Sequence, residues 1–170
     1  MIDKKKKIQY FLYKYTPVFL LFFVVSNEID FNNLEYKYFS FNFAYILIFY
    51  YNLKRDDGIG YVFIFIAGLF NDVNNGVSMG ISSLCYLLLS AAAVYLRNIT
   101  LRPNLFKDWI FFLITILVLN CITFSYLILF FNYESNYFGQ TLNTIFTFLL
   151  YLIFAYIFKF YDNITLGRYN

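Results

Sequence analysis

Apolar and polar positions fall along this chain in long alternating blocks. Six apolar runs, at 8–25, 36–53, 59–72, 77–96, 109–131 and 138–160, are separated by short polar linkers. A bilayer core about 30 Å thick takes roughly 20 helical residues. The blocks therefore predict an all-α polytopic membrane protein with six transmembrane helices in a single domain, 1–170. The longest hydrophilic stretch runs only from Ser26 to Glu35, which leaves no room for a domain outside the membrane. Pro17 predicts a kink in the first run, and Lys14 is placed to snorkel toward the N-terminal surface.

The third run is short. Its apolar part, Ile59 to Phe70, reaches about 18 Å at 1.5 Å per residue. Either the helix continues through Asn71 and Asp72, or the chain turns back at membrane depth. A re-entrant turn is tolerated only where protein or water covers it, so continuation is preferred. Asp72 is then expected to cap a helix end or to accept from nearby N–H groups.

Charge fixes an expected orientation. Lys4 to Lys7 precede the first run, Lys54 and Arg55 follow the second, Arg97, Arg102 and Lys107 follow the fourth, and Lys159 and Arg168 follow the sixth. The intervening linkers carry Glu28, Asp30 and Glu35 against Lys37, then Asp72, then Glu134. By the positive-inside rule both termini are cytoplasmic and the acidic linkers face outward. The N-terminus has the basic and apolar regions of a signal peptide. Ser26-Asn27-Glu28 offers no small-residue cleavage site, so the segment reads as a retained first span.

Composition agrees and removes most chemistry. The chain is 61% hydrophobic and 14% charged, where a soluble domain is about half apolar and a quarter charged. There is no His, and with it go the commonest general base and metal ligand. Cys85 and Cys121 lie inside apolar runs, where thiols behave as small hydrophobes. The net charge of +3 reflects where the basic residues sit and not a nucleic-acid surface. The 24 Phe and 18 Tyr, with abundant Asn, Ile and Lys, fit AT-rich coding and read as lipid-facing drift. Asp56 and Asp57 beside Lys54, Arg55 and Gly58 read as a solvated turn. No nucleophile–base pair, metal cluster or phosphate loop is apparent, so neither an enzyme nor a cofactor is expected.

The polar notch from Gly68 to Gly80 stands apart from all this. It holds Asn71, Asp72, Asn74, Asn75, Gly76 and Ser78 between two apolar runs. Gly76 and Gly80 are expected to open the fourth helix, and their face continues through Ser83, Leu87, Ser90 and Val94. Such a small-residue stripe lets another helix come close. That helix is either one of this chain's own or a partner's, and in the second case Gly80→Leu weakens the partner complex while insertion survives. Asn120, Thr123, Ser125, Asn143, Thr144 and Thr147 lie inside the last two runs and predict hydrogen bonds between helices.

Gly68, Asp72, Gly76 and Gly80, followed by an apolar span ending at Arg97, resemble the signature region of the rod-shape-determining membrane protein family MreD. The specific likeness covers Gly60 to Leu89, and elsewhere it is architectural. The resemblance implies a non-enzymatic scaffold in the bacterial inner membrane, acting in cell-wall elongation. It implies an MreC-like bitopic partner, with MreB, RodA and a class B penicillin-binding protein in the wider complex. It also implies Gly68, Asp72, Gly76, Gly80 and Ser83 as the docking or structural notch. The family's fold is similar to that of substrate-binding subunits of energy-coupling-factor vitamin transporters. The alternative function is therefore a transporter subunit with an outward pocket lined by Asp72, Asn74 and Asn75.

Overall fold

A computed structural model describes residues 2–27, 41–76, 78–100, 104–131 and 137–166, and these form six α-helices without a strand. They are α1 (Ile2–Asn27), α2 (Phe43–Lys54), α3 (Tyr61–Asn74), α4 (Ile81–Ile99), α5 (Leu105–Phe131) and α6 (Tyr137–Leu166). Three stretches are long and apolar enough to cross a membrane: Ile81–Ile99, Leu105–Tyr126 and Phe138–Asn163. Tyr13–Ser26 and Tyr61–Asn74 are shorter apolar helices.

The second run does not become a long span. α2 has 12 residues, and every one from Ala44 to Leu53 is buried. A helix that is apolar on all sides belongs in a core, and a run this short is typical of one. α2 packs against α1, α4 and α6 and is the centre of the bundle. Asn42 starts it, accepting from the Tyr45 N–H at 3.2 Å. The Asn42 N–H in turn donates to Thr147 Oγ1 of α6 at 2.9 Å. The predicted start of this run, 36–40, lies outside the described residues.

Other boundaries shift for local reasons. α1 continues through Pro17 and extends back to Ile2, past the lysine run. α5 begins at Leu105 because Asn104 caps it, its side chain accepting from the Phe106 N–H at 3.0 Å. α6 runs on to Leu166.

The aromatics are not all lipid-facing drift. Tyr45, Phe49, Tyr50, Tyr51, Tyr86, Phe112 and Tyr151 are buried. Phe49 meets Phe112 at 5.0 Å and Tyr151 at 5.8 Å between ring centroids, and Phe112 stacks on Tyr151 at 4.5 Å. These rings join α2, α5 and α6, and such pairs contribute about 0.5–1.5 kcal/mol beyond their burial. Phe19, Phe65, Phe70, Phe106 and Phe160 point outward, as the drift reading expects.

Candidate functional site

The notch is a helical hairpin closed by one carboxylate. α3 continues through Asn71 and Asp72 to Asn74, so Asp72 sits in its last turn. α4 starts after Gly80, which has no side chain with which to cap it. Asp72 supplies the cap from the other helix. Its Oδ2 accepts from the Gly80 N–H at 2.7 Å and its Oδ1 from the Ser82 N–H at 2.9 Å. The residue is fully buried. A helix start leaves N–H groups without intrahelical partners and carries a partial positive charge, so a carboxylate is suited to it on both counts.

The neighbouring amides finish the joint. Asn71 Nδ2 donates to Ser82 Oγ at 2.9 Å. Asn74 Nδ2 donates to the Val25 carbonyl near the end of α1 at 2.8 Å, which ties a third helix to the hairpin. Asn75 Nδ2 donates to the Asn71 carbonyl at 2.9 Å.

The three glycines divide into two kinds. Gly68 is a contact glycine, because a Cβ there would overlap the backbone and Oγ of Ser83. α3 and α4 therefore cross almost backbone to backbone, and Ser83 Oγ donates to the Phe65 carbonyl at 3.0 Å. Gly76 and Gly80 are turn glycines with φ of 62° and 104° and open space where a Cβ would go. Gly80 opens the fourth helix as its first cap residue, its carbonyl accepting from the Leu84 N–H at 2.9 Å, whereas Gly76 lies in the preceding turn, contrary to expectation. That helix begins at Ile81, and Val77 lies outside the described residues. The chain needs a reversal here, and glycine meets it because it adopts positive φ without a Cβ penalty.

The stripe that follows faces inward. Ser83, Ser90 and Ala93 are buried, on a helix packed against α2 and α3. Gly68, Asp72, Gly80 and Ser83 thus come together at one joint, with Gly76 in its turn.

A second polar cluster, at the opposite end of α3, escaped the reading of the sequence. Arg55 Nη2 meets Asp162 of α6 at 2.5 Å, with both side chains largely buried. Its Nη1 donates to the Tyr13 carbonyl of α1 at 2.9 Å. The guanidinium lies 3.7 Å from the Tyr13 ring centroid, within cation–π range. Lys54 meets the buried Asp108 of α5 at 2.6 Å. Arg97 of α4 donates to the Asn52 carbonyl at 3.1 Å and also to the Arg55 carbonyl. Asn52 completes the turn, accepting from the Ile59 N–H at 3.1 Å. Asp56 and Asp57 are exposed, as a solvated turn requires, but Lys54 and Arg55 beside them are not. Asp108, like Asp72, is buried. The available signal was an Asp in the first turn of one long apolar run and another near the end of the next.

Asn120, Thr123, Thr144 and Thr147 bond to other elements as expected, whereas Ser125 is exposed and makes no such bond to a described residue. Asn120 Nδ2 donates to Thr144 Oγ1 at 2.7 Å, joining α5 to α6. Thr123 Oγ1 lies 3.1 Å from Cys85 Sγ, joining α5 to α4. Both cysteines are free, Cys85 buried and Cys121 exposed. Among the described residues no group of three or more His, Cys, Asp or Glu is placed to hold a metal ion. An open groove of about 680 Å³ runs between α5 and α6. Compared with known proteins, the chain matches no family model, no curated protein and no solved structure.

Proposed function

We propose that this chain is a non-enzymatic scaffold of the bacterial cell-wall elongation machinery, similar to MreD proteins. In this reading it crosses the inner membrane six times with both termini cytoplasmic. It docks an MreC-like bitopic partner through helix packing, with MreB, RodA and a class B penicillin-binding protein in the wider complex. The observation that carries the reading is the α3–α4 hairpin. The residues on which the resemblance rests form one joint, in which Asp72 caps α4 and Gly68 lets Ser83 approach. Their spacing thus has a common physical cause. The orientation puts the notch on the outer side and the Arg55–Asp162 cluster on the cytoplasmic side, where charge is retained.

The transporter alternative needs the notch to line a pocket. Both oxygens of Asp72 are taken by α4, and the Asn74 and Asn75 amides are bonded within the chain. The Asp72 carboxylate is thus buried in the joint and used to hold it, which favours a structural role for it over ligand binding. The test is mild-detergent purification from native membranes. The scaffold reading expects a single-span protein with a periplasmic coiled coil to co-purify in stoichiometric amount. A tightly retained small molecule together with an ATPase-linked coupling subunit contradicts it.

A further inference from the structure

We propose that the cavity beside Arg55 binds the headgroup of an aminophospholipid, with the phosphate drawn in by Lys14, Lys54 and Arg55 and the ammonium held at the mouth by Asp56 and Asp57. The proposal goes beyond the scaffold reading and does not depend on it. The cavity has a volume of about 360 Å³ and is lined by those five residues with Tyr13 and Gly58. That volume lies within the range of small-ligand sites.

The charges here fall into two tiers. The inner pairs are tight, Arg55 with Asp162 at 2.5 Å and Lys54 with Asp108 at 2.6 Å. They still leave donors over. Lys54 has spent one of its three on Asp108. The Arg55 side chain is 9% exposed, and its Nε is buried without an acceptor among the described residues. The outer pairs are loose. Lys14 lies 3.9 Å from Asp57, and Arg97 lies 3.7 Å from Asp56, both beyond hydrogen-bond distance. The Asp56 and Asp57 side chains are 100% and 66% exposed. Unspent negative charge thus sits at the mouth and unspent donors sit deeper in. A simple cation would meet Lys14, Lys54 and Arg55, and a simple anion would have to pass two carboxylates. A dipolar headgroup with its phosphate inward and its ammonium outward finds a charge-assisted partner at each end.

The cavity also stands at the level of headgroups. The apolar stretches are Tyr13–Ser26, Tyr61–Asn74, Ile81–Ile99, Leu105–Tyr126 and Phe138–Asn163. Tyr13 starts the first, and Gly58 comes just before the second. Arg97, Asp108 and Asp162, which pair with residues lining the cavity, lie at the near ends of the other three. All five stretches therefore end at the height of the cavity. In a bilayer that height is the boundary between hydrocarbon and headgroups. Basic pockets between helices at this boundary suit lipid headgroups. Soluble phosphoethanolamine carries the same charges, and only the acyl chains tell the two sources apart.

The test gives the purified chain equal amounts of phosphatidylethanolamine, phosphatidylglycerol and phosphatidylcholine in mild detergent, and native mass spectrometry counts the lipid retained. Phosphatidylethanolamine should be retained about fivefold over each of the others, as one additional charge contact predicts. Lys14→Gln should lower that retention about fivefold, and Asp57→Asn should abolish the preference over phosphatidylglycerol. Lys14 is half-exposed and Asp57 largely exposed, and a loose surface pair of this kind contributes little to stability. The unfolding temperature of each variant should therefore stay where it was. Equal retention of the three lipids, a preference for phosphatidylglycerol, or unchanged retention in Lys14→Gln overturns the proposal. Soluble phosphoethanolamine should not compete with the lipid, and competition at millimolar concentration would overturn the membrane source of the ligand.

Discussion

Gly68 and Gly80 look alike in the sequence and do opposite things. Gly68 needs the absence of a Cβ because Ser83 occupies that space. Gly80 needs the freedom of a positive φ and has nothing near it. Gly68→Ala should therefore force α3 and α4 apart and destabilise the chain by about 1–3 kcal/mol. Gly80→Asn strains the backbone at a φ of 104° but displaces no neighbour, so it should cost less than Gly68→Ala, about 1 kcal/mol. Thermal unfolding of the two purified variants checks this, and equal losses would contradict it. Asp72 is the other critical residue. Asp72→Ala removes two charge-assisted bonds and leaves a helix start uncapped, at a cost of about 2 kcal/mol or more. Asp72→Asn keeps an acceptor, so unfolding temperatures should rank Asp above Asn above Ala at this position.

At the scale of helices, the two ends of the bundle hold together differently. The notch end is joined by side-chain to backbone bonds within one hairpin and to α1. The other end is joined by ion pairs that link α2 to α5 and α6, helped by Arg97 from α4. Arg55→Ala strands Asp162 in a largely buried site. Removing one partner of a buried pair costs about 3–5 kcal/mol. The double variant Arg55→Ala with Asp162→Ala should recover part of that loss, with a coupling of about 0.5–3 kcal/mol in a double-mutant cycle. Additive losses would mean that the pair contributes nothing beyond its separate parts.

The sequence made six apolar blocks and the α3–α4 break legible, because hydropathy marks both without tertiary information. It led to Asp72 as a cap because a lone carboxylate among apolar residues needs donors. It misled at Gly76, which lies in the turn and not on the helix, since glycine spacing alone does not distinguish a helix contact from a turn. It also could not show that Arg55 pairs with Asp162, because 107 positions separate them and only the fold brings them together.

The described residues form an all-helical bundle with a short buried helix at its centre and three helices long and apolar enough to cross a membrane. Its described polar side chains largely hold helices to one another, at the notch and at the Arg55 cluster. Reporter fusions at the two termini should both read cytoplasmic if the six-span orientation is right, and opposite readings would require an odd number of passes. The most direct measurement is controlled depletion of this chain in its native host, followed by cell shape under the microscope. The scaffold account predicts that cells lose their rod form and widen before growth stops, and that Gly68→Ala complements less well than Gly80→Asn. Cells that keep their width after the protein is gone would contradict it.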